Sequence, residues 1–227
     1  MTTIGILQPG YIPWLGFFEQ VYRSDVFVIY DDVQYDKNGW RNRNRIKCPQ
    51  GIQWLTVPVK LKGLDTPINE VLIVSGNWQR KHLAIIKHCY KKSPYFEEVF
   101  PIMENILSKE WQYLVELDME IIDAVHDYLG LHRHIVRSST LGIKEDDPTR
   151  RLVNICRHFN ADVFYEGTSG KNYLVEDEFI KNGIKLQFQD YRCAPYPQLF
   201  DAFVDKLSII DLLFNCGKKS LQIIMHT

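Results

Sequence analysis

Two adjacent carboxylates, Asp31 and Asp32, are followed closely by three arginines at alternate positions, Arg41, Arg43 and Arg45. A carboxylate beside an amine can accept its proton. It can equally bind a ribose hydroxyl or Mg²⁺. A guanidinium offers a planar fork of N–H donors that matches phosphate or carboxylate. On an extended strand alternate side chains share a face. Arg41, Arg43 and Arg45 would then point one way, and Trp40, Asn42, Asn44 and Ile46 the other. Three guanidiniums on one face need balancing charge, either from a bound anion or from Asp31, Asp32 and Asp36. Because Asp31 and Asp32 are neighbours, only one of them is expected to face a ligand, leaving the other to a turn or cap.

Further along, Glu166-Gly167-Thr168-Ser169-Gly170-Lys171 joins an apolar run to a predicted helix containing Tyr173 and Leu174. Backbone N–H groups at such a junction can hold a phosphate. Alternatively, Thr168 or Ser169 simply caps the helix. The order of residues fits neither a Walker loop nor a G-x-G-x-x-G dinucleotide loop. Tyr11, Trp14, Tyr35 and Trp40 supply rings that could stack on a base or sugar, Trp14 having core packing as its alternative. Arg80, Lys81, His82, Lys87, His88, Lys91 and Lys92 make a basic helix, from which Lys81, His82 or Lys87 could reach a site; a solvated face is the simpler reading. No serine–histidine–acid order supports a covalent mechanism. Cys48, Cys89, Cys156, Cys193 and Cys216 are scattered without metal-ligand spacing and read as reduced thiols. His132 and His134 lack a third ligand nearby, so no metal is expected.

The elements that must position these groups follow from periodicity. TIGIL is a first strand, and Pro9, Gly10 and Pro13 make Gln8 to Pro13 a loop. Trp14, Phe17, Phe18, Val21 and Tyr22 have helical spacing, and Val26 to Tyr30 is a second buried strand. Gln53 to Val59 reads as an edge strand because of Pro58. Ile68 to Val74 reads as its hairpin partner. Helices are predicted from near Trp78, from Ser93-Pro94 with a kink at Pro101, and from about Trp111 to Leu129 with Gly130 as the stop. His134 to Thr140, Ala161 to Gly167 and Gly183 to Tyr191 resume the strand pattern. Pro148 follows the capping acids Asp146-Asp147, and Leu207 to Gly217 forms a closing helix. Strands alternating with helices predict an α/β fold with a mainly parallel open sheet. The chain reads as one domain over 1–227, with a mostly helical insertion at about 78–130. That insertion could be a cap, a subdomain or a homodimer surface. Ligands of open sheets sit beyond the carboxyl ends of strands, where Gln8–Pro13, Asp31 onward and Glu166–Lys171 should converge.

Composition narrows the partners. The 227 residues are 45% hydrophobic and carry a net charge of −1. That balance argues against a general nucleic-acid binder, and any anion site must be local. No apolar run approaches the ~20 residues of a membrane-spanning helix. With no signal-peptide pattern at the start, a cytoplasmic protein is expected.

The motifs QPGYIPWLGFF, DDVQY followed by WRNRNRIK, LTVPV, YEGTSGKNYL and LSIIDLLFNCG together resemble the WbqC-like family of bacterial proteins. That resemblance spans nearly the whole chain. It implies a place among genes for O-antigen and other surface polysaccharides, hence lipopolysaccharide biosynthesis. By association it points to a transferase that moves an acyl or aminoacyl group to the amine of a nucleotide-linked amino sugar. Candidate catalytic groups are Asp31, Asp32 and His82. Candidate substrate contacts are Gln8, Tyr11, Trp14, Gln34, Trp40, Arg41, Asn42, Arg43 and Asn44 in the first part of the chain, and Glu166, Ser169, Gly170, Lys171 and Tyr173 later. A looser likeness is to H-x-G-H nucleotidyltransferases, with Trp14-Leu15-Gly16-Phe17 in the comparable place but both histidines absent. Two alternatives therefore stand beside the transferase: an ATP- and Mg²⁺-dependent ligase activating a carboxylate, and a non-catalytic partner in the same pathway. No cofactor is required by the sequence, an acyl donor or ATP with Mg²⁺ being the options.

Overall fold

The computed structural model describes residues 1–200 and 202–225. Its centre is a five-stranded, all-parallel sheet built from β1 (Thr3–Leu7), β2 (Val26–Ile29), β7 (His134–Arg137), β8 (Val163–Glu166) and β9 (Lys185–Phe188). In space the order is β7-β2-β1-β8-β9, with Ile6 opposite Val28 and Ile4 opposite Phe164. The chain thus winds outward from β1 one way, then returns to build the other side. The reversal lies between β1 and β8, where open α/β sheets leave a crevice.

Alternation along the strands gives each face its own core. Ile4, Ile6 and Val28 pack with Leu152 and Ile155 of α5 (Pro148–His158) and Phe179 of α6 (Glu176–Lys181). Phe27 and Ile29 face the other way, onto Phe17, Phe18 and Val21 of α1 (Leu15–Arg23). Each such side chain contributes roughly 1.5–3 kcal/mol by leaving water. The α1 side also carries two antiparallel pairs, β3 (Arg43–Cys48) with β4 (Gly51–Thr56) and β5 (Val59–Lys60) with β6 (Leu72–Ile73). The helices α2 (Trp78–Tyr90), α3 (Phe96–Leu107) and α4 (Leu114–Leu129) follow in succession, and α7 (Ile209–Cys216) and α8 (Ser220–Met225) close the chain. Among the described residues no helix is long and apolar enough to cross a membrane.

Several local expectations are corrected. Val57 and Pro58 divide the run from Gln53 to Val59, so β4 ends at Thr56. Ile68–Glu70 is a 3₁₀ turn, and only Leu72–Ile73 pairs with β5. Helix α3 begins at Phe96 rather than at Ser93-Pro94, because the Ser93 hydroxyl donates back to Tyr90 O and closes a turn. It runs unbroken through the exposed Pro101, whose missing N–H lies in the second turn. Tyr173 and Leu174 stand outside any helix, between a 3₁₀ turn at Thr168–Asn172 and α6. Two terminators hold: Asp147 caps α5 by accepting from Arg150 N, and Gly130 ends α4 in the left-handed conformation at φ 66°.

The thiols also differ from expectation. Cys48 and Cys89 form a disulfide across a sequence separation of 41, while Cys156, Cys193 and Cys216 are free. The β3–α2 approach that brings the two Cα atoms to 4.8 Å is tertiary and leaves no trace in cysteine spacing. A loop of that length corresponds to about 4 kcal/mol of chain entropy. Reduction with dithiothreitol should therefore lower the urea midpoint clearly; an unmoved midpoint would mean that the tie adds nothing.

Candidate functional site

A cavity of about 380 Å³ opens at the carboxyl end of β1. Leu7, Gln8 and Gly10 line one part, Pro13, Trp14 and Phe17 a second, and Trp40, Arg41, Asn44, Arg45 and Lys206 the remainder. Gly16 is needed here because the Trp14 ring lies directly over it: a Cβ at position 16 would sit 2.2 Å from the indole. The helix start therefore presents an aromatic wall, steadied by an edge contact of Trp14 with Tyr191.

The arginine ladder is shorter than its spacing suggests. Arg41 precedes β3, and its guanidinium turns inward to donate to Pro9 O at 2.8 Å. Only Arg43 and Arg45 share the strand face, beside Trp54 of β4, which pairs with Arg45. The Arg45 guanidinium lies 5.4 Å from the Trp40 ring and 5.9 Å from Trp54, with Arg43 at 5.0 Å from Trp54. Trp40 and Trp54 stack at 5.3 Å. Arg45 also donates to Lys206 O at 2.9 Å, while the buried Nε atoms of Arg41 and Arg45 have no partner among the described residues. The opposite face matches expectation in part: Asn42, Asn44 and Ile46 are buried, with Asn42 donating to Val57 O and Asn44 to Ile12 O, but Trp40, expected with them, precedes β3 and stacks on Trp54 beside Arg45.

Behind Arg41 lies a buried polar cluster. Asp118 of α4 is fully buried, and neither carboxylate oxygen has a hydrogen-bond partner among the described residues. Burial pushes its pKa well up, opposed by the charge of Arg41. Burial likewise lowers the pKa of Arg41, and Asp118 is the first of the charges that oppose this. His82 Nδ1 lies 2.9 Å from the Tyr11 hydroxyl, and the ring also hydrogen-bonds the Thr56 backbone. Burial drops the His82 pKa to about 4, so the imidazole is neutral near pH 7. The ring is engaged with the Tyr11 hydroxyl and is not among the residues that line the cavity. Lys81 and Lys87 are exposed on the same helix.

The acidic pair at the end of β2 is engaged in holding the fold. Asp31 is fully buried and accepts from Arg137 Nε at 2.6 Å, Ser139 N at 3.0 Å and Ser139 Oγ at 2.9 Å. Asp32 pairs with Arg151 of α5 and accepts from Ser138 Oγ. Both carboxylates thus have cationic partners from β7 and α5, and both bond a single residue, Ser138.

Glu166, the last residue of β8, is different. It is 4% exposed, and its pKa is pushed up to about 7 by burial, which the Tyr173 hydroxyl and the Gly167 N–H only partly offset. The Tyr173 hydroxyl donates to Oε1 at 3.3 Å. Gly170 is buried against the same carboxyl: a Cβ there would stand 2.4 Å from Glu166 Cγ. Thr168 commits its hydroxyl to Gln189 O, and Ser169 and Lys171 are exposed, the Lys171 ammonium 5.3 Å from the Phe188 ring. Gln34 is a surface residue donating to Leu64 O.

A model of the WbqC-like protein family matches residues 8–223. The chain belongs to the WbqC-like family. It is also 36% identical over 223 residues to the Mycobacterium tuberculosis protein described as uncharacterized protein Rv1507c, covering 97% of this chain and 96% of that one. No solved structure matches the chain. The family match includes the Glu166 loop and every cavity residue except Leu7.

Of the residues expected to act, the cavity gathers Gln8, Trp14, Trp40, Arg41 and Asn44. Glu166, Gly170 and Tyr173 form a second group at the neighbouring strand end. Tyr11 and His82 lie in the cluster behind Arg41. Phe17, Arg45 and Lys206 are additional lining residues, and Trp54 supports the site by stacking on Trp40. Arg45 was visible in the ladder, and Trp54 follows from the tight turn at Cys48–Gly51, which sets the β3–β4 register. Nothing local marks Lys206, which reaches the cavity from far along the chain.

Proposed function

We propose that this protein binds a nucleotide-linked amino sugar in the cavity at the end of β1 and transfers an acyl or aminoacyl group to its amine, as an enzyme of bacterial surface-polysaccharide biosynthesis. The observation that carries the reading is the combination of aromatic walls with two cationic side chains, Arg45 and Lys206, that no carboxylate pairs with among the described residues. Trp14, Phe17 and Trp40 offer ring faces for a base or sugar, and Arg45 and Lys206 stand at the same cavity for phosphate. The switch point between β1 and β8 is where doubly wound sheets accept mononucleotides. ATP-dependent activation of a carboxylate is the second reading, favoured by the same strand order.

A thermal-shift panel of UDP-, TDP- and GDP-linked sugars, with ATP and Mg²⁺ alongside, tests both. A ligand at a hundred times its Kd adds about 2.7 kcal/mol, which raises Tm by several degrees. A shift with nucleotide sugars supports the transferase, and a shift with ATP alone supports the ligase. No shift with any of them would defeat both and favour a non-catalytic partner. Arg45→Ala should abolish the shift while lowering the unliganded Tm by little, since the partly buried side chain contacts two part-exposed tryptophans and one backbone carbonyl. Arg41→Ala is unsuited to this test, because the buried bond to Pro9 O and the partner of Asp118 would be lost together.

A further inference from the structure

We propose that Glu166, roofed by Tyr173, is an amine-recognition site: a primary ammonium on the ligand replaces the Tyr173 hydroxyl on the carboxylate. The inference rests on the nucleotide-sugar reading for the other end of the ligand, which would lie in the cavity beyond Gln8.

The geometry favours a single organic cation. Glu166 ends β8 at the reversal of strand order, next to β1, and Gln8 immediately after β1 already lines the cavity. The carboxyl is buried, yet among the described residues no lysine or arginine pairs with it. Its side-chain donor is the hydroxyl of Tyr173, a residue 57% exposed, across a long 3.3 Å. A buried carboxylate held so weakly is short of charge-assisted partners. The groups around it do not supply one. Arg151 from α5 lies 5.1 Å from the Tyr30 ring and is committed to Asp32. Cys156 of α5 is buried, with its thiol pKa pushed up to about 12. Tyr30 and Tyr173 are both held neutral by burial. The Tyr173 ring suits an organic ammonium rather than a metal ion, which would need more oxygen ligands. Among the described residues no cluster of three or more acids, histidines or cysteines could hold a metal. Gly170 lets the loop backbone close over the carboxyl, while the exposed tyrosine is the part that can swing away.

The test uses the full chain labelled at glutamate carboxyl carbons, with the Glu166 resonance identified by its absence in Glu166→Gln. UDP-glucosamine, UDP-N-acetylglucosamine and free glucosamine are titrated in turn. Both amine probes should lower the Glu166 titration midpoint by about one pH unit or more, while the N-acetyl compound leaves it in place. Glu166→Gln, which keeps shape and loses charge, should cut any preference of UDP-glucosamine over its N-acetyl form by roughly tenfold or more. If both UDP sugars quench tryptophan fluorescence yet leave Glu166 unmoved, the amine site is wrong and the nucleotide-sugar reading stands. If glucosamine moves Glu166 while neither UDP sugar nor any other nucleotide sugar binds, the amine site stands and that reading falls. A Glu166 midpoint indifferent to every amine overturns the proposal outright.

Discussion

Asp31→Ala should lower the stability of this protein by about 3–5 kcal/mol, the usual cost of removing one partner from a buried ion pair. For a chain of this size that is roughly a 10 °C fall in Tm. The reason is the number of elements that meet on one side chain. Asp31 collects Arg137 Nε, Ser139 N and Ser139 Oγ, so it ties the end of β2 to the end of β7 and the turn after it. Deleting it leaves a partly buried guanidinium, an amide and a hydroxyl without their acceptor. Asp31→Asn should recover part of the loss, since an amide oxygen still accepts from Ser139 but offers Arg137 no charge. Urea unfolding of both variants checks this. A loss under about 1 kcal/mol for alanine would mean that the clasp is not structural and would return Asp31 to consideration as a base.

Glu166→Gln should do the opposite, and only at neutral and alkaline pH. The folded state holds the Glu166 proton up to about pH 7, against an ordinary value of 4.5. Between those values the native chain keeps a proton that the unfolded chain has released. Stability therefore falls as pH rises through this window, and the whole cost is present above it. A rise of that size in pKa corresponds to about 3 kcal/mol. The glutamine variant should match the parent at about pH 4 and exceed it by up to that amount at about pH 8. Parallel stability profiles would show that the carboxyl finds a better partner in solution than Tyr173. A carboxylate kept at such a cost, beside one that is fully satisfied, separates the two acidic features of this sheet. Asp31 and Asp32 hold the fold, whereas Glu166 stays buried at a cost to it.

The sequence determined the α/β class, because buried parallel strands read as short apolar runs between amphipathic helices, and both periods are local. It also placed three loops correctly: Gln8–Pro13, Asp31 onward and Glu166–Lys171 all fall at carboxyl ends of strands. Period two alone put Asn42, Asn44 and Ile46 on one face, though it put Trp40 there too, and only the structure shows that face to be buried. What it could not determine was which charges were already engaged. Asp31 and Asp32 look catalytic in sequence, but Arg137 and Arg151 reach them from separations of 106 and 119 residues. Arg41 looks like a rung of the ladder, yet β3 starts two residues later and Pro9 O claims its guanidinium. His82 sits on a basic helix whose other cations are solvated, and only packing against Tyr11 makes it neutral and buried. Hydrogen-bond partners and burial are properties of the folded surroundings, not of residue type. The tertiary structure alone therefore decided which charges are paired: Asp31 and Asp32 hold guanidiniums, while among the described residues Glu166 and Asp118 have no cation within salt-bridge distance and Arg45 has no carboxylate.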